Sequence, residues 1–239
     1  TGYIPTAIMN ETGYDVATFG NHEFDFGFDY LESHITGTAN FDIVCSNIGY
    51  TGQGENRFKN IKPYVVKKYG NTSVAYLGVS AISTIAESTP TVFMENDEMV
   101  YDFSFGDSRD NFYSNLQEVI NKAHKEADYV VMLAHLGIAE KDKPFCSYDI
   151  AQNTYDVDVI IDGHSHSEIL GDVYKNAKNE DVTIWQTGTE LNNIGTLILK
   201  KDHTIEGMLV SGYEKKDEVV TNKIDELNAE YDEFLNQVI

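Results

Sequence analysis

The order of apolar segments along the chain predicts an α/β protein, built as a sandwich of mixed β-sheets. Short β-rich runs at residues 15–19, 128–134 and 157–161 alternate with segments of helical periodicity. Further strand-like runs then follow one another toward the C-terminal end. Strands that alternate with helices and lead into an antiparallel series are typical of mixed α/β sandwiches.

The other predicted strands are short apolar runs rich in β-branched and aromatic residues. Gly70 and Asn71 separate two of these runs and predict a hairpin turn, because both residues tolerate positive φ. Residues 84–105 lack clear periodicity and are predicted to form a long loop over the surface. The strand runs cover residues 41–45, 64–69, 73–79, 182–186, 194–200 and 204–210.

Helical periodicity predicts a helix at residues 28–35 and a longer one at about 109–127. In a third segment, from about Asp217 onward, apolar residues recur at alternating steps of four and three positions. We expect this amphipathic helix, residues 216–239, to pack on the domain or to lead to a following one. Residues 1–215 are interpreted as one domain.

Composition limits the classes of partner that the chain can have. With 239 residues, of which 41% are hydrophobic, the chain can bury one substantial core. Its formal net charge of −22 repels phosphate backbones and anionic lipids, so nucleic-acid polymers and acidic membranes are poor partners. A small phosphorylated substrate remains compatible, because bound cations can invert the local field. No apolar run approaches the roughly 20 residues that a transmembrane helix needs.

Three loops that follow β-rich runs carry the candidate functional residues. They read Gly20-Asn21-His22-Glu23, Ala134-His135 and Gly163-His164-Ser165-His166. In open α/β sheets, ligands gather beyond the carboxyl ends of the strands, so these side chains are expected to meet there. Nitrogen and oxygen donors of these types suit Zn, Mn or Fe. Taken singly, each histidine is equally compatible with a surface or core residue, and Asp25 with a helix cap.

At these positions the sequence resembles the calcineurin-like metallophosphoesterases. Residues 20–27, Gly-Asn-His-Glu-Phe-Asp-Phe-Gly, resemble that family's second block, most closely in its 5′-nucleotidase and 2′,3′-cyclic-nucleotide 2′-phosphodiesterase branch. Residues 12–15, 134–137, 162–166 and 186–188 are similar to other blocks of the branch, in the same order. The resemblance extends from about residue 12 to residue 213.

The resemblance implies a fold, a reaction and a role for each site residue. The fold would be two mixed β-sheets flanked by helices, an α/β/β/α sandwich. Asn21, His135 and His164 would ligate one divalent metal ion of Zn, Mn or Fe type, and His166 a second. His22, oriented by Asp25, would be the catalytic histidine, and Asn21 and His22 would also contact the substrate. The reaction would be hydrolysis of nucleotide phosphate esters by in-line attack of a metal-held hydroxide.

The sequence also departs from the family pattern at both ends. The family opens with an Asp-x-His block and a Gly-Asp block, which supply further metal ligands and the first strand, and neither is present here. A C-terminal substrate domain usually follows the helix that begins near residue 216. We therefore expect both regions to belong to a longer parent protein. As in most of the family, the expected location is extracellular, cell-surface or periplasmic.

Two other functions remain open at this point. One is a hydrolase of the same fold that acts on a different ester, such as a nucleotide-sugar or a sulfur-linked substrate. The other is a catalytically inactive fragment or binding domain. The six site residues favour an enzyme, because an inactive domain has no chemical reason to hold all of them.

Overall fold

The computed structural model describes residues 2–138 and 143–238, which form a mixed α/β fold. The helices are α1 Tyr3–Thr12, α2 Phe28–Leu31, α3 Phe112–Glu126, α4 Ser147–Asn153 and α5 Glu218–Val238. The strands are β1 Val16–Thr18, β2 Asp42–Val44, β3 Gly49–Tyr50, β4 Tyr64–Tyr69, β5 Thr72–Ser80, β6 Met94–Glu95, β7 Glu98–Met99, β8 Tyr101–Asp102, β9 Tyr129–His135, β10 Val159–Ile161, β11 Glu168–Lys175, β12 Asp181–Thr187, β13 Asn193–Leu199 and β14 Ile205–Ser211.

A six-stranded mixed sheet in the order β11-β12-β10-β9-β5-β4 forms the centre of the molecule. Its four inner strands are parallel, whereas the edge strands β4 and β11 pair antiparallel. Parallel strands that are covered on both faces read as continuous apolar runs rather than alternating ones. This is why β9, with the sequence Tyr-Val-Val-Met-Leu-Ala-His, is so uniformly apolar.

Helices cover one face of the central sheet. Phe112, Leu116 and Ile120 of α3 are fully buried against side chains from alternate positions of β5 and β9. Helix α4 adds Ile150 to the same cluster. The amphipathic pattern predicted for residues 109–127 is therefore confirmed, with a short 3₁₀ turn at Arg109–Asn111 before the α-helix begins.

A second β-layer covers the opposite face. The hairpin β13-β14 packs Leu197, Leu199 and Ile205 toward that face. The parallel pair β1-β2 lies over β5, where a Cβ on Gly78 would stand only 2.1 Å from the Val44 carbonyl oxygen. Only glycine permits this approach of the two backbones. Helix α1 lies outside β1-β2, which completes the predicted order of helix, sheet, sheet and helix.

The segment 84–105 builds a core of its own, so its prediction as a surface loop is wrong. Phe93, Tyr101 and Phe103 from this segment are buried in an aromatic cluster with rings from the loops after β1 and β2. Most of these rings meet edge to face, which is the favoured geometry for aromatic pairs. Periodicity was absent because 3₁₀ turns and two-residue strands, rather than one long element, carry these side chains.

The hairpin predicted at Gly70 and Asn71 is confirmed, since Tyr69 pairs with Thr72 and Gly70 has φ of 65°. The sequence patterns did not predict α1 or β11, whereas a helix between the strands at 128–134 and 157–161 was expected and is present as α4. Helix α5 begins close to the expected residue and contacts α1, with Leu227 buried. The second half of its apolar stripe is exposed at Tyr231 and Phe234. Within the described residues, no helix is both long and apolar enough to cross a bilayer.

Candidate functional site

Three of the predicted site residues meet beside the end of β9. His135 is the last residue of β9, and its Nε2 lies 3.0 Å from Oδ1 of Asn21, which is 114 positions earlier in the chain. The rings of His135 and His164 meet edge to face with their centroids 5.0 Å apart. The ends of β1, β9 and β10 therefore bring one amide and two imidazoles together. This agrees with the expectation that side chains after these strands meet beyond the carboxyl ends of the strands.

Two glycines make room for the His135 ring. A Cβ on Gly20 would lie 2.9 Å from Nε2 of His135, and a Cβ on Gly163 would lie 3.1 Å from its Nδ1. The imidazole is thus held between two loop backbones that no larger residue could form without displacing the ring. His164 and His166 have φ of 74° and 55°, in the left-handed region that such residues seldom adopt. Strained backbone of this kind clusters at functional sites.

His22 and Asp25 form a second pair next to this group. Nδ1 of His22 lies 2.8 Å from Oδ2 of Asp25, and the His22 side chain is 76% exposed. A carboxylate on Nδ1 fixes the ring orientation and leaves Nε2 as the nitrogen that can meet a ligand. The alternative role of Asp25 as a helix cap is wrong, because Gly27 occupies the N-cap of α2 and no side chain caps that helix.

Glu87 belongs to the site, although no sequence pattern indicated it. Its Oε2 lies 3.1 Å from Nε2 of His164, and its backbone carbonyl accepts a hydrogen bond from Nδ2 of Asn21. Ser83 donates a further hydrogen bond to the Glu87 carboxylate. Glu87 lies in the aperiodic segment that was predicted to be a surface loop. No spacing or neighbouring residue type distinguishes it from the other acidic residues there.

Buried polar groups hold the loops in place. Asp162 accepts hydrogen bonds from the backbone N–H groups of Leu136 and Gly137, which ties the loop after β9 to the loop after β10. The Gln186 side chain accepts from the Ser167 N–H and donates to the Gly163 carbonyl. Burial raises the pKa of Asp162, and those backbone donors oppose the shift. The histidine loop is thus fixed by β12 as well as by its own strand.

The electrostatics of the site favour neutral imidazole at His135. Burial lowers the pKa of His135 to about 4, and the nearby histidines 164, 22 and 166 lower it further by charge repulsion. A neutral imidazole is the form that ligates metal ions. His166 is exposed, and among the described contacts only this charge effect links it to the group.

The donor atoms at the site suit a divalent metal ion, although there are only three of them. Asn21 Oδ1, His135 Nε2 and the His164 imidazole are the oxygen and nitrogen donors that Zn, Mn and Fe accept. Three protein ligands with an open position are typical of catalytic zinc centres. Across residues 2–138 and 143–238, no three His, Cys, Asp or Glu side chains are arranged to hold a metal ion. Asn21, which is outside those residue types, would therefore have to complete the group.

Comparison with known proteins places these features in a family. The family profile described as bacterial capsule synthesis protein PGA_cap matches residues 5–188, which is more than half of the chain. The trifunctional nucleotide phosphoesterase protein YfkN of Bacillus subtilis is 32% identical over 174 residues, covering 67% of this chain and 11% of that protein. The 2′,3′-cyclic-nucleotide 2′-phosphodiesterase/3′-nucleotidase of Haemophilus influenzae is 29% identical over 193 residues, covering 73% and 26%.

A solved structure gives the same result for the fold. The crystal structure of the calcineurin-like phosphoesterase YfkN from Bacillus subtilis superposes with a TM-score of 0.72 at 25% identity, covering 98% of this chain and 75% of that one. The chain spans only about a tenth to a quarter of the length of the two curated relatives.

Proposed function

Because the chain belongs to the bacterial capsule synthesis protein (PGA_cap) family, which has the calcineurin-like phosphoesterase fold, we propose that it hydrolyses phosphate esters of nucleotides. Its relatives include nucleotidases and phosphoesterases, so this is a family of hydrolases. The observation that carries the proposal is the convergence of Asn21, His135 and His164, with the exposed pair of His22 and Asp25 beside them.

In the proposed site, Asn21, His135 and His164 hold one divalent cation, and His166 contributes to a second. When bound, such cations neutralise charge on the phosphoryl oxygens and provide an activated water. Further ligands would come from other parts of a longer parent protein, for which the greater length of the relatives leaves room. We place that parent outside the cytoplasm, at the cell surface or in the periplasm.

The role proposed for His22 follows from its exposure and its partner. Asp25 holds Nδ1, so Nε2 can reach the oxygen that leaves phosphorus and donate a proton to it. Asp25 is a positioning residue that sets the ring orientation and stabilises the charge that develops there. We assign to the neighbouring Asn21 side chain a contact with the phosphoryl group as well as with the cation.

The role of His22 predicts a specific mutant phenotype. In the presence of Mn²⁺ or Zn²⁺, the parent protein that contains this chain should release phosphate from 5′-, 3′- or 2′,3′-cyclic nucleotides. His22→Ala should lower the turnover rate about 10²- to 10⁴-fold, as expected for the loss of a general acid. Because His22 is not a proposed ligand, elemental analysis should find the metal content unchanged.

A matched control is available in His203, which pairs with Asp158 at 2.8 Å but lies in the turn between β13 and β14. His203→Ala should turn over at the wild-type rate. Metal loss in His22→Ala, or equal rates for His22→Ala and wild type, would contradict the role of His22. Absence of phosphate release from all of these esters by the metal-loaded parent protein would contradict the proposed function itself.

A further inference from the structure

Asn21 and His135 meet at the site although their strands belong to different layers of the fold. Asn21 follows β1, which pairs with β2 in the layer over β5. His135 ends β9, which pairs with β5 and β10 in the central sheet. The distance of 3.0 Å between Oδ1 of Asn21 and Nε2 of His135 therefore depends on contacts that join the two layers.

Ser80 makes such a contact next to both residues. It is the last residue of β5, lies opposite His135 in the register of β5 and β9, and is completely buried. Its hydroxyl donates a hydrogen bond of 2.7 Å to the carbonyl of Phe19, two positions before Asn21. The following residue, Ala81, donates its N–H to the His135 carbonyl at 3.0 Å. The end of β5 is thus bonded both to the strand of His135 and to the loop of Asn21.

Asn47 fixes the main chain of Ser80 from a third segment. The Asn47 side chain is completely buried, its Oδ1 accepts the Ser80 N–H at 3.0 Å, and its Nδ2 donates to the Ser80 carbonyl at 2.7 Å. Nδ2 also donates to the carbonyl of Phe103 in the aromatic cluster, at 2.8 Å. A buried polar group that loses its partner is costly, so these bonds hold the Ser80 hydroxyl in one place.

We propose that Ser80 is a positioning residue, which sets the distance between Asn21 and His135 by holding the Phe19 carbonyl. Without the hydroxyl, that carbonyl would turn toward another donor and carry the short link to Asn21 with it. Metal sites tolerate errors of only about 0.2 Å in the distances of their ligands. The inference rests on the proposed function, because that function makes Asn21 and His135 ligands of the same cation.

Ser46 provides a matched control, because its hydroxyl also joins the two layers. Ser46 is buried, and its Oγ donates a hydrogen bond of 2.6 Å to the Gly78 carbonyl of β5. This bond holds the segment after β2 rather than the loop of Asn21. Both Ser46→Ala and Ser80→Ala should therefore lower the urea midpoint of unfolding, whereas only Ser80→Ala should affect the metal centre.

Calorimetric titration of the chain with Mn²⁺ measures that difference. Ser80→Ala should bind Mn²⁺ at least about tenfold more weakly than wild type, the usual effect of losing a group that orients a ligand, and Ser46→Ala should stay within about twofold. Ser80→Cys keeps nearly the same side-chain shape but has a much weaker donor, so it should also lose affinity. This variant replaces Ser80→Ala if the alanine chain does not fold.

Nitrogen-15 NMR of the metal-free chain tests the same geometry without any metal. The resonances of the Asn21 side-chain amide and of the His135 ring should shift in Ser80→Ala and keep their wild-type positions in Ser46→Ala. Unchanged resonances or unchanged Mn²⁺ affinity in Ser80→Ala, or equal losses in Ser46→Ala, would overturn the inference.

The two measurements also separate this inference from the proposed function. If the inference is overturned but the parent protein releases phosphate from nucleotides, the proposed function stands. If the resonances respond as predicted but the wild-type chain binds no Mn²⁺ and the parent protein releases no phosphate, the proposed function fails. The effect of Ser80 on Asn21 and His135 stands in that case.

Discussion

His135 illustrates how a single buried side chain organises the site. Its ring ends a parallel strand, fits between Gly20 and Gly163, and is hydrogen-bonded to Asn21. A buried polar group without such a partner would be costly, so the loops and the ring depend on one another. The sequence could identify Asn21, His135 and His164 because each follows a recognisable strand. It could not identify Glu87, whose position depends on the irregular path of the segment around it.

The two cysteines allow a prediction at the same scale. Cys45 and Cys146 are both free and buried. Burial, together with the hydrogen bond from its thiol to the Asp149 carboxylate, raises the pKa of Cys146 to about 11, and burial raises the pKa of Cys45. At pH 8 a pKa of about 11 leaves only about one thiol in a thousand ionised, and the thiolate is the reactive form.

We therefore expect neither thiol of the native chain to react with a thiol-specific reagent at pH 8, and both to react once urea unfolds the protein. Below pH 9 the native rate should stay low, since the neutral thiol persists until the pH approaches the raised pKa. Titration of labelled thiols by mass spectrometry would check this. Rapid labelling of Cys146 in the native chain would show that its surroundings are more open than the structure indicates.

At the scale of elements, the buried aromatic cluster holds the loops that follow β1 and β2 in place. Phe24 follows His22 and Glu23 in the same 3₁₀ turn and is completely buried. Its ring contacts those of Phe19, Phe28, Phe93 and Phe103, which come from two separate segments of the chain, residues 19–28 and 93–103. Packing of Phe24 thus positions the turn that presents His22 to solvent.

Phe24→Ala should lower the free energy of unfolding by about 3–5 kcal/mol, the usual cost of removing a buried phenylalanine ring. Phe26→Ala, two residues further along and exposed, should change it by less than about 0.5 kcal/mol. Urea unfolding curves of the two variants, followed by circular dichroism, would measure the difference. Equal stabilities would mean that the cluster does not support the turn.

Regular periodicity explains which elements were predictable. The strands β4, β5, β9 and β12 and the helices α3 and α5 are long or strongly patterned, and their positions followed from the sequence. Residues 84–105 were assigned to the surface because their buried side chains are spaced irregularly along short turns. Helix α4 has only seven residues, too few to fix its bounds from a period, and β11 exposes most of its side chains at the sheet edge.

At the scale of the whole molecule, charge is the dominant feature. A formal net charge of −22 makes the folded chain repel itself, because compaction brings the carboxylates closer together. Several of the 17 basic residues are held in exposed ion pairs, such as Lys59 with Glu55 and Lys175 with Asp181. These pairs offset only part of the repulsion.

Screening of the negative charges by added salt should therefore stabilise the folded protein. Between about 0.01 M and 0.15 M salt the Debye length falls from roughly 30 Å to 8 Å, which removes most long-range repulsion. The melting temperature of the metal-free chain should rise over this range with NaCl and equally with KCl. A melting temperature that falls with added salt would show that attractive ion pairs, rather than net repulsion, dominate the electrostatics.

The most direct test of the proposed centre is metal content per chain, by elemental analysis after equilibration with Mn²⁺ or Zn²⁺ and removal of free ions. We predict at least one saturably bound ion per chain in wild type and in His203→Ala, and a marked loss in His135→Ala, which removes a central donor. Equal metal content in wild type and His135→Ala, or no saturable binding by the wild-type chain, would contradict a metal centre at these loop ends.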